Sequence, residues 1–171
     1  MVSYADAGVV YAWSTPPKEM LVRSTDGGKT WTEVDTSAFQ KSIFTLAADH
    51  QRANKIYAGV IDGIYVSEDY GSGWKKATSL DAPVALIVDD LQEEGVMYVS
   101  VAKKGLLKTN DGGKTWQNLN QGLPDPTEDL VVFLAANPHR TAELYALTKR
   151  GSMYRYENAQ WTLFPAQLKH G

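Results

Sequence analysis

The eight residues Ser24-Thr25-Asp26-Gly27-Gly28-Lys29-Thr30-Trp31 decide how this chain folds, because closely similar runs occur further along. Residues 109–116, Thr-Asn-Asp-Gly-Gly-Lys-Thr-Trp, differ from them at two of eight positions, and residues 67–74 keep the Ser, Asp, Gly and Trp positions. The tryptophans that end these runs, and a fourth at Trp161, are separated by 43, 42 and 45 residues. A repeat of about 40 to 45 residues is typical of the four-stranded blades of a β-propeller.

Each run has the chemistry of a tight turn between two strands. The Asp carboxylate accepts hydrogen bonds from nearby backbone N–H groups, and Gly adopts the positive φ that such turns need. The Trp begins the following strand, where we expect its large ring to be buried beside the turn. The residues with this structural role are Ser24, Asp26, Gly28, Thr30 and Trp31, then Ser67, Asp69, Gly71 and Trp74, and finally Thr109, Asp111, Gly113, Thr115 and Trp116.

These runs resemble the Asp-box, or BNR, repeat, whose pattern is Ser/Thr-x-Asp-x-Gly-x-Thr/Ser-Trp. The first and third runs match every position, and the second departs from the pattern only at Gly73. The fourth copy, residues 154–161, keeps Trp161 and lacks the Asp and the Gly. The family includes sialidase-like, sortilin-like and photosystem-assembly-factor-like propellers, in which the box is a structural turn. The resemblance therefore implies a fold and leaves the function open.

The 171 residues are expected to form one all-β domain of four four-stranded antiparallel blades. Short apolar runs alternate with turn residues, and no segment has the apolar spacing of a helix. We place the blades at about residues 1–35, 42–78, 84–119 and 130–164, and blade one begins with a strand at residues 2–5.

A closed propeller has at least four blades. Every repeat in this chain begins with an inner strand and ends with an outer strand. This pattern allows three architectures. They are a four-bladed ring formed by one chain, an eight-bladed ring of which two chains form the halves, and a larger propeller of which this chain is a part. An open half-ring exposes an apolar face at each end, and contiguous apolar surface usually binds a partner. Among the three, we expect the two-chain ring and therefore a homodimer.

Composition and charge narrow the classes of function. A net charge of -3 and a pI near 5.6 give no reason to expect nucleic acid or an anionic membrane as the partner. Cysteine is absent, which excludes disulfides and thiolate chemistry. No signal peptide or membrane span is recognisable, so the compartment is left open, with the cytoplasm expected if the chain is complete.

Catalysis is not the expected function. The box aspartates lie on turns of different blades, whereas a glycosidase needs its two carboxyls roughly 5 to 9 Å apart. Resemblance to sialidases would further require three arginines, a tyrosine and an acid at one site, and we expect the arginines to be dispersed. The sequence predicts a non-catalytic binding or scaffold module, with a protein or glycan as ligand.

A glycoside-hydrolase-like propeller is the alternative, with a site that forms in the channel of the assembled ring. Xyloglucan-cutting enzymes with tandem propellers also contain such boxes and take one catalytic Asp from each of two domains. In this chain, dimerisation would bring acids such as Asp81 and Asp129 into one channel.

The loops opposite the box turns form the expected ligand face. Their cations would attract an anionic ligand or an acidic protein surface, or they only keep the hairpin tips solvated. These candidates are Lys18, Lys103, Lys104, Lys149 and Arg150. Trp13, beside two prolines, is either a stacking platform for a sugar or part of the core.

No metal and no cofactor is expected. His50, His139 and His170 lack the spacing of metal ligands. The Gly-Gly-Lys-Thr turns look superficially like a phosphate loop, but the rest of that pattern and the helix that follows it are missing.

Overall fold

A computed structural model of the chain describes residues 8–14, 19–39, 42–140 and 142–164. Within those ranges every regular element is a β-strand, and the strands form four antiparallel sheets in sequence order. None of these residues belongs to a helix with the length and apolar character of a membrane span. The predicted all-β class is confirmed.

The four sheets are the blades, and each adds its strands in order along the chain. Blade one contains β1 (Val10–Ser14), β2 (Met20–Ser24) and β3 (Thr32–Glu33). Blade two contains β4 (Thr45–Ala48), β5 (Ile56–Val60), β6 (Gly63–Ser67) and β7 (Lys75–Ser79). Blade three contains β8 (Val84–Asp89), β9 (Met97–Val101), β10 (Gly105–Thr109) and β11 (Gln117–Asn118). Blade four contains β12 (Val131–Ala136), β13 (Leu144–Thr148), β14 (Met153–Glu157) and β15 (Gln160–Leu163).

Blade one has three strands within the described ranges, because the strand predicted at residues 2–5 lies outside the described residues. In the other three blades the first strand is innermost. Strand β8 contacts both β4 and β12, and each of the three pairs on one side only, with the second strand of its own blade. Their other edges therefore face the axis around which the blades are arranged.

Strand β9 shows how the sequence produces this stacking. All five of its residues are buried, although alternate side chains of a strand point to opposite faces of the sheet. Met97, Val99 and Val101 pack toward blade two, whereas Tyr98 packs toward blade four. A continuous run of buried residues is required here because the middle blades are covered on both faces.

Three apolar clusters join consecutive blades. They contain Tyr11 with Leu46 between blades one and two, Val66 with Val84 between blades two and three, and Leu106 with Leu144 between blades three and four. No cluster of described residues contains side chains from both blade four and blade one. Among the described residues, the blades therefore form an arc in which no blade packs in front of blade one and none packs behind blade four.

Gly122 lies where the chain passes from blade three to blade four and provides a test of this packing. Its φ is +94°, and a Cβ there would lie 2.5 Å from the Trp161 carbonyl oxygen. Gly151 has a φ of +90°, and a Cβ at that residue would have no neighbouring atom within 4 Å.

We expect Gly151→Ala to lower the free energy of unfolding by about 1 kcal/mol, the cost of a side chain at positive φ. Gly122→Ala adds a steric clash and should cost about 3 kcal/mol. Urea unfolding of the two variants measures the difference, and equal losses would contradict the close approach of blade four to this loop.

Candidate functional site

The first Asp box is a compact set of hydrogen bonds. The Asp26 Oδ1 accepts the backbone N–H groups of Lys29 and Thr30 at 3.0 and 2.9 Å, and Oδ2 accepts the Thr30 hydroxyl at 2.6 Å. The Ser24 hydroxyl donates to Oδ1 at 2.7 Å and accepts the backbone N–H of Gly28 at 2.8 Å. Both carboxylate oxygens are therefore used within their own turn, which is a structural role.

The other two boxes repeat this arrangement with one difference. Asp111 accepts the backbone N–H of Thr115 at 2.9 Å and its hydroxyl at 2.6 Å, as Asp26 does with Thr30. Asp69 accepts the backbone N–H of Gly73 at 2.8 Å and receives no hydroxyl there, because Gly73 has no side chain.

These hydrogen bonds lower the pKa of the box aspartates. The Thr30 hydroxyl is the largest cause for Asp26, whose pKa falls to about 2. The pKa of Asp111 is lowered by Thr115 in the same way, and that of Asp69 chiefly by the Ser67 hydroxyl. A general acid needs a pKa near the working pH, so these carboxyls are unsuited to that role at neutral pH.

The degenerate fourth box forms a different turn. Strands β14 and β15 pair up to Glu157 and Gln160, which leaves a two-residue loop of Asn158 and Ala159 with φ values of 53° and 61°. Positive φ at both positions is the geometry of a tight hairpin that follows the twist of the strands. A backbone turn thus replaces the carboxylate-based one.

The tryptophan that follows each box packs against the preceding blade. Trp74 lies in the cluster between blades one and two, Trp116 in that between two and three, and Trp161 in that between three and four. Trp161 is 2% exposed, and its indole N–H donates to the Leu119 carbonyl of blade three at 2.7 Å. Trp31 is 45% exposed because no described blade precedes blade one. The box tryptophan rings lie beside their own turns, as expected, because a Cβ at Gly28, Gly71 or Gly113 would contact the ring of the same box. In blades two to four the preceding blade adds a second covering surface.

Two apolar faces remain uncovered at the ends of the arc. The face of blade one that points away from blade two is called the leading face, and it carries Val10, Ala12, Met20, Val22 and, by equivalence with the later tryptophans, Trp31. The face of blade four that points away from blade three is called the trailing face, and it carries Phe133, Tyr145, Leu147, Met153 and Phe164. Phe133 is 56% exposed and Phe164 is 42% exposed.

Four of the five cations predicted for the ligand face lie on two hairpins. Lys103 and Lys104 are at the β9–β10 turn, Lys149 and Arg150 are at the β13–β14 turn, and all four are exposed. The Lys104 ammonium donates to a backbone carbonyl of the loop before β8. Within the described part of the chain, no carboxylate forms an ion pair with the other three. Lys18 lies outside the described residues.

Asp81 and Asp129 precede the inner strands of blades three and four. Asp81 is exposed and has a φ of 52°. Asp129 is buried, and its Oδ1 accepts the backbone N–H of Arg150 at 2.9 Å. Asp129 therefore holds the β13–β14 hairpin against the start of β12.

A tyrosine, an acid and two arginines meet on the trailing face. The Arg140 guanidinium lies 3.5 Å from Oε2 of the buried Glu143, and the Arg155 guanidinium lies 3.2 Å from its Oε1. Glu143 also accepts a hydrogen bond from the Tyr145 hydroxyl. That hydrogen bond raises the pKa of Tyr145. A tyrosine nucleophile needs the opposite shift, and this group lies on a blade face rather than in the channel.

Trp13 packs against the cluster between blades one and two.

A second side-chain turn recurs at the end of each inner strand, and the sequence analysis did not identify it. The Asp49 Oδ1 accepts the backbone N–H of Gln51 at 3.1 Å, the Asp90 Oδ1 that of Gln92 at 2.9 Å, and the Asn137 Oδ1 that of His139 at 2.9 Å. These residues directly follow β4, β8 and β12. An Asp or Asn directly after each of these apolar inner strands was the pattern from which the sequence could have predicted this turn.

Asp89 is the last residue of β8, at the position that alanines occupy in blades two and four. Its Oδ2 accepts the backbone N–H of His50 at 2.8 Å and lies 2.7 Å from Nδ1 of the same residue. Its Oδ1 accepts no hydrogen bond from any described residue. The Asp89 side chain is only 8% exposed, and this burial raises its pKa. Because His50 belongs to blade two, the pair exists only when the blades stack.

One atom from each of Asp49, His50 and Asp89 lies within 4.8 Å of the others, which is the grouping that a metal ion would need. However, the Asp49 Oδ2 already lies 3.4 Å from Arg52 and 3.6 Å from Lys55. Two cations beside the carboxylate disfavour a third. The His50 ring nitrogen nearest the group is also engaged with Asp89.

The inner strands enclose a cavity of about 290 Å³ beside Asp89. Its walls are residues 46–48 of β4, 87–89 of β8, 134–136 of β12, and Leu91. Alanines at the ends of β4 and β12 leave the space open, and Asp89 is the one ionisable residue among the described residues of the wall.

The sequence was compared with known families and proteins. The model of the Sortilin-Vps10 family, described as sortilin, neurotensin receptor 3, matches residues 19–127. A probable oligoxyloglucan-reducing end-specific xyloglucanase of Neosartorya fischeri is 31% identical over 134 residues, which are 75% of this chain and 16% of that protein.

Solved structures with similar folds include the GH74 enzyme of Niastella koreensis, with a TM-score of 0.78 and 20% identity. That match covers 95% of this chain and 29% of the enzyme chain. YCF48 from Cyanidioschyzon merolae matches with a TM-score of 0.71 and 15% identity, over 99% of this chain and 56% of that one. A structure of YCF48 bound to D1 peptide matches with a TM-score of 0.61 and 16% identity, over 95% of this chain and 56% of that one. These chains are all much longer than this one, and the propeller fold is confirmed.

The boxes provide a titration test. Because the folded pKa of Asp26 lies below that of an unfolded chain, about 4, its ionised form stabilises the fold above about pH 4. That contribution is lost as the pH falls toward the folded pKa of about 2.

Thr30→Gly makes the first box like the second, where Gly73 occupies the same position. Since the Thr30 hydroxyl is the largest cause of the low pKa of Asp26, we expect that pKa to rise from about 2 toward that of Asp69. Carbon-detected NMR titration of the Asp carboxyls measures both, with Asp69 as the unchanged reference. An unaltered pKa for Asp26 would show that the hydroxyl is not what lowers it.

Proposed function

The chain belongs to the Sortilin-Vps10 family, and on that basis we propose that it is a non-catalytic propeller module that binds proteins and completes its ring with a second copy of itself. The observation that carries the second part is the exposure of Trp31. Its three counterparts are packed on a preceding blade, whereas 45% of Trp31 faces solvent. Exposed aromatic rings beside other apolar residues are typical of protein interfaces.

The leading face and the trailing face are the two surfaces that meet wherever one blade of the repeat follows another. A blade that follows blade four would cover the trailing face, and a blade that precedes blade one would cover the leading face. Head-to-tail contact between two copies supplies both, with Trp31 of one copy against Phe133 and Phe164 of the other. Head-to-tail contacts give closed rings when the rotation fills a circle and open filaments when it does not. Eight blades lie within the range of closed propellers.

The lengths of the relatives bear on this proposal. The matches with this chain cover 56% of the YCF48 chain and 29% of the Niastella enzyme chain, so those chains have length for additional blades. We propose that in the present protein a second copy provides the blades that longer relatives contain within one chain.

Protein binding is supported by YCF48, a propeller that has been solved bound to a peptide. In the present chain, the exposed cations at the β9–β10 and β13–β14 hairpins offer a surface for an acidic segment of a partner. We propose Lys103, Lys104, Lys149 and Arg150 as its contact residues.

Light scattering tests ring completion. We expect a mass of twice the 18.9 kDa of one chain. Trp31→Ser and Phe133→Ser should each weaken self-association by about 2 kcal/mol, roughly thirtyfold in the dissociation constant, as expected for a central aromatic contact.

Ile61→Ser is the matched control for these variants. Ile61 is 51% exposed at the turn between β5 and β6, away from both end faces, so its loss should leave the mass unchanged. A wild-type protein that remains a single chain at all concentrations, or species that grow without limit, would contradict the closed pair.

A carbohydrate-directed function is the second candidate, because the curated relative at 31% identity is a probable xyloglucanase. A hydrolytic site would need two carboxyls roughly 5 to 9 Å apart. The Asp129 carboxylate already accepts a backbone N–H from Arg150, and the box aspartates are held ionised in their own turns.

We expect the protein to release no reducing sugar from xyloglucan oligosaccharides, measured by a reducing-end assay with an active xyloglucanase as the positive control. Turnover that disappears in Asp81→Asn or Asp129→Asn would replace the non-catalytic assignment with the hydrolytic one.

A further inference from the structure

We propose that the cavity between the inner strands binds a basic side chain of a protein ligand, with its aliphatic part against the alanine-lined wall and its ammonium group on Asp89. The site is formed by strands β4, β8 and β12 of one chain. It extends the proposed binding role to a second surface, and it does not require ring completion.

The wall of the cavity is suited to an aliphatic stem. Ala47, Ala48, Ala135 and Ala136 line the cavity, and leucine, isoleucine and valine residues make up the rest of its apolar lining. A volume of about 290 Å³ is near the lower end of the range for ligand pockets, which is roughly 300 to 1,000 Å³. Apolar walls of this kind take up the methylene groups of a lysine while its charged end reaches a polar group.

Asp89 supplies the polar group. Its side chain is more than nine-tenths buried, and only Oδ2 is occupied, by the backbone N–H and the ring of His50. Oδ1 accepts no hydrogen bond from the described residues and is not one of their fully buried unpaired atoms, so it stays accessible to a ligand. An ammonium group would donate a hydrogen bond to this oxygen and provide a compensating charge.

The surroundings favour an ammonium group over other ligands. An anion would meet the Asp89 carboxylate, and the described residues that line the cavity include no lysine or arginine. Ca²⁺ needs six to eight oxygen ligands, and Asp89 is the one carboxylate among the described residues that line the cavity. The axis-facing edges of the inner strands, which pair with no other strand, provide backbone carbonyls for the remaining N–H donors of an ammonium group.

The lack of charge at the corresponding positions supports a specific role for Asp89. Blades two and four have Ala48 and Ala136 where blade three has Asp89. Of the three described inner strands, one therefore ends in an acid and the other two end in alanine. The backbone N–H of His50 orients its carboxylate from the neighbouring blade.

The experiment uses the full chain with labelled alanine methyl groups, observed by NMR. We expect n-pentylammonium to shift the methyl resonances of Ala48 and Ala136 in a saturable way, whereas 1-pentanol and hexanoate bind at least tenfold more weakly. Asp89→Asn should weaken pentylammonium binding at least tenfold. Asp81→Asn, which removes an exposed acid outside the cavity wall, should leave it unchanged.

A second variant protects the test against misfolding. Ala136→Leu fills the cavity and keeps Asp89, so it should also weaken binding while the unperturbed methyl resonances show an intact fold. Equal binding of the three probes, or full binding by Asp89→Asn, would overturn the proposal. So would Ca²⁺ shifting the same methyls when pentylammonium does not.

The outcome of this experiment does not depend on the proposed self-association. Light scattering on Asp89→Asn should give the same mass as the wild type, because Asp89 lies on neither end face. A dimer without amine binding removes this inference alone, and a monomer that binds the amine removes only the two-copy ring.

Discussion

The hydrogen bonds between each box carboxylate and its own turn are the constraint on which the rest of the structure depends. They fix the path of the chain between the third and fourth strands. They therefore also fix the position at which the Trp at the end of the box follows the turn. In blade one the Trp31 indole N–H donates to the Gly28 carbonyl at 3.0 Å, which ties the ring to the turn itself. In the later blades the ring then lies on the preceding sheet. A local turn thereby specifies a contact between blades.

Each blade consequently has two different faces, one for the blade before it and one for the blade after it. The middle blades use both, as the fully buried β5 and β9 show. The first and last blades use one each, and this leaves the leading and trailing faces exposed. The same stacking brings together residues from different blades, such as His50 and Asp89. The assembly and the ligand binding that we propose therefore have a common origin in the stacking of blades.

The sequence predicted what is encoded within one repeat. The box residues, the tight turns and the apolar strands are local patterns, and the structure has strands at the positions where blades two to four were expected. The degenerate box before Trp161 was visible too, although the positive φ values of Asn158 and Ala159 that replace it are not a pattern that single residues reveal. What the sequence did not predict depends on neighbours. Trp31 looks like the other box tryptophans, and its exposure depends on the absence of a described blade in front of blade one. Asp89 and His50 are 39 residues apart and meet only across a blade interface. The single sign of that site was an acid in an apolar inner strand where two other blades have alanine.

The most direct measurement of the central claim is fluorine NMR of protein labelled with 5-fluorotryptophan, which gives one resonance for each of the five tryptophans. The shift of each resonance between H₂O and D₂O reports the exposure of its ring, and Trp31→Phe identifies the resonance of Trp31. If each box tryptophan is covered by a preceding blade, Trp31 is protected at high protein concentration and becomes exposed on dilution, while Trp161 stays protected throughout. A Trp31 resonance that remains solvent-exposed at every concentration, with the protein still assembled, would contradict the account.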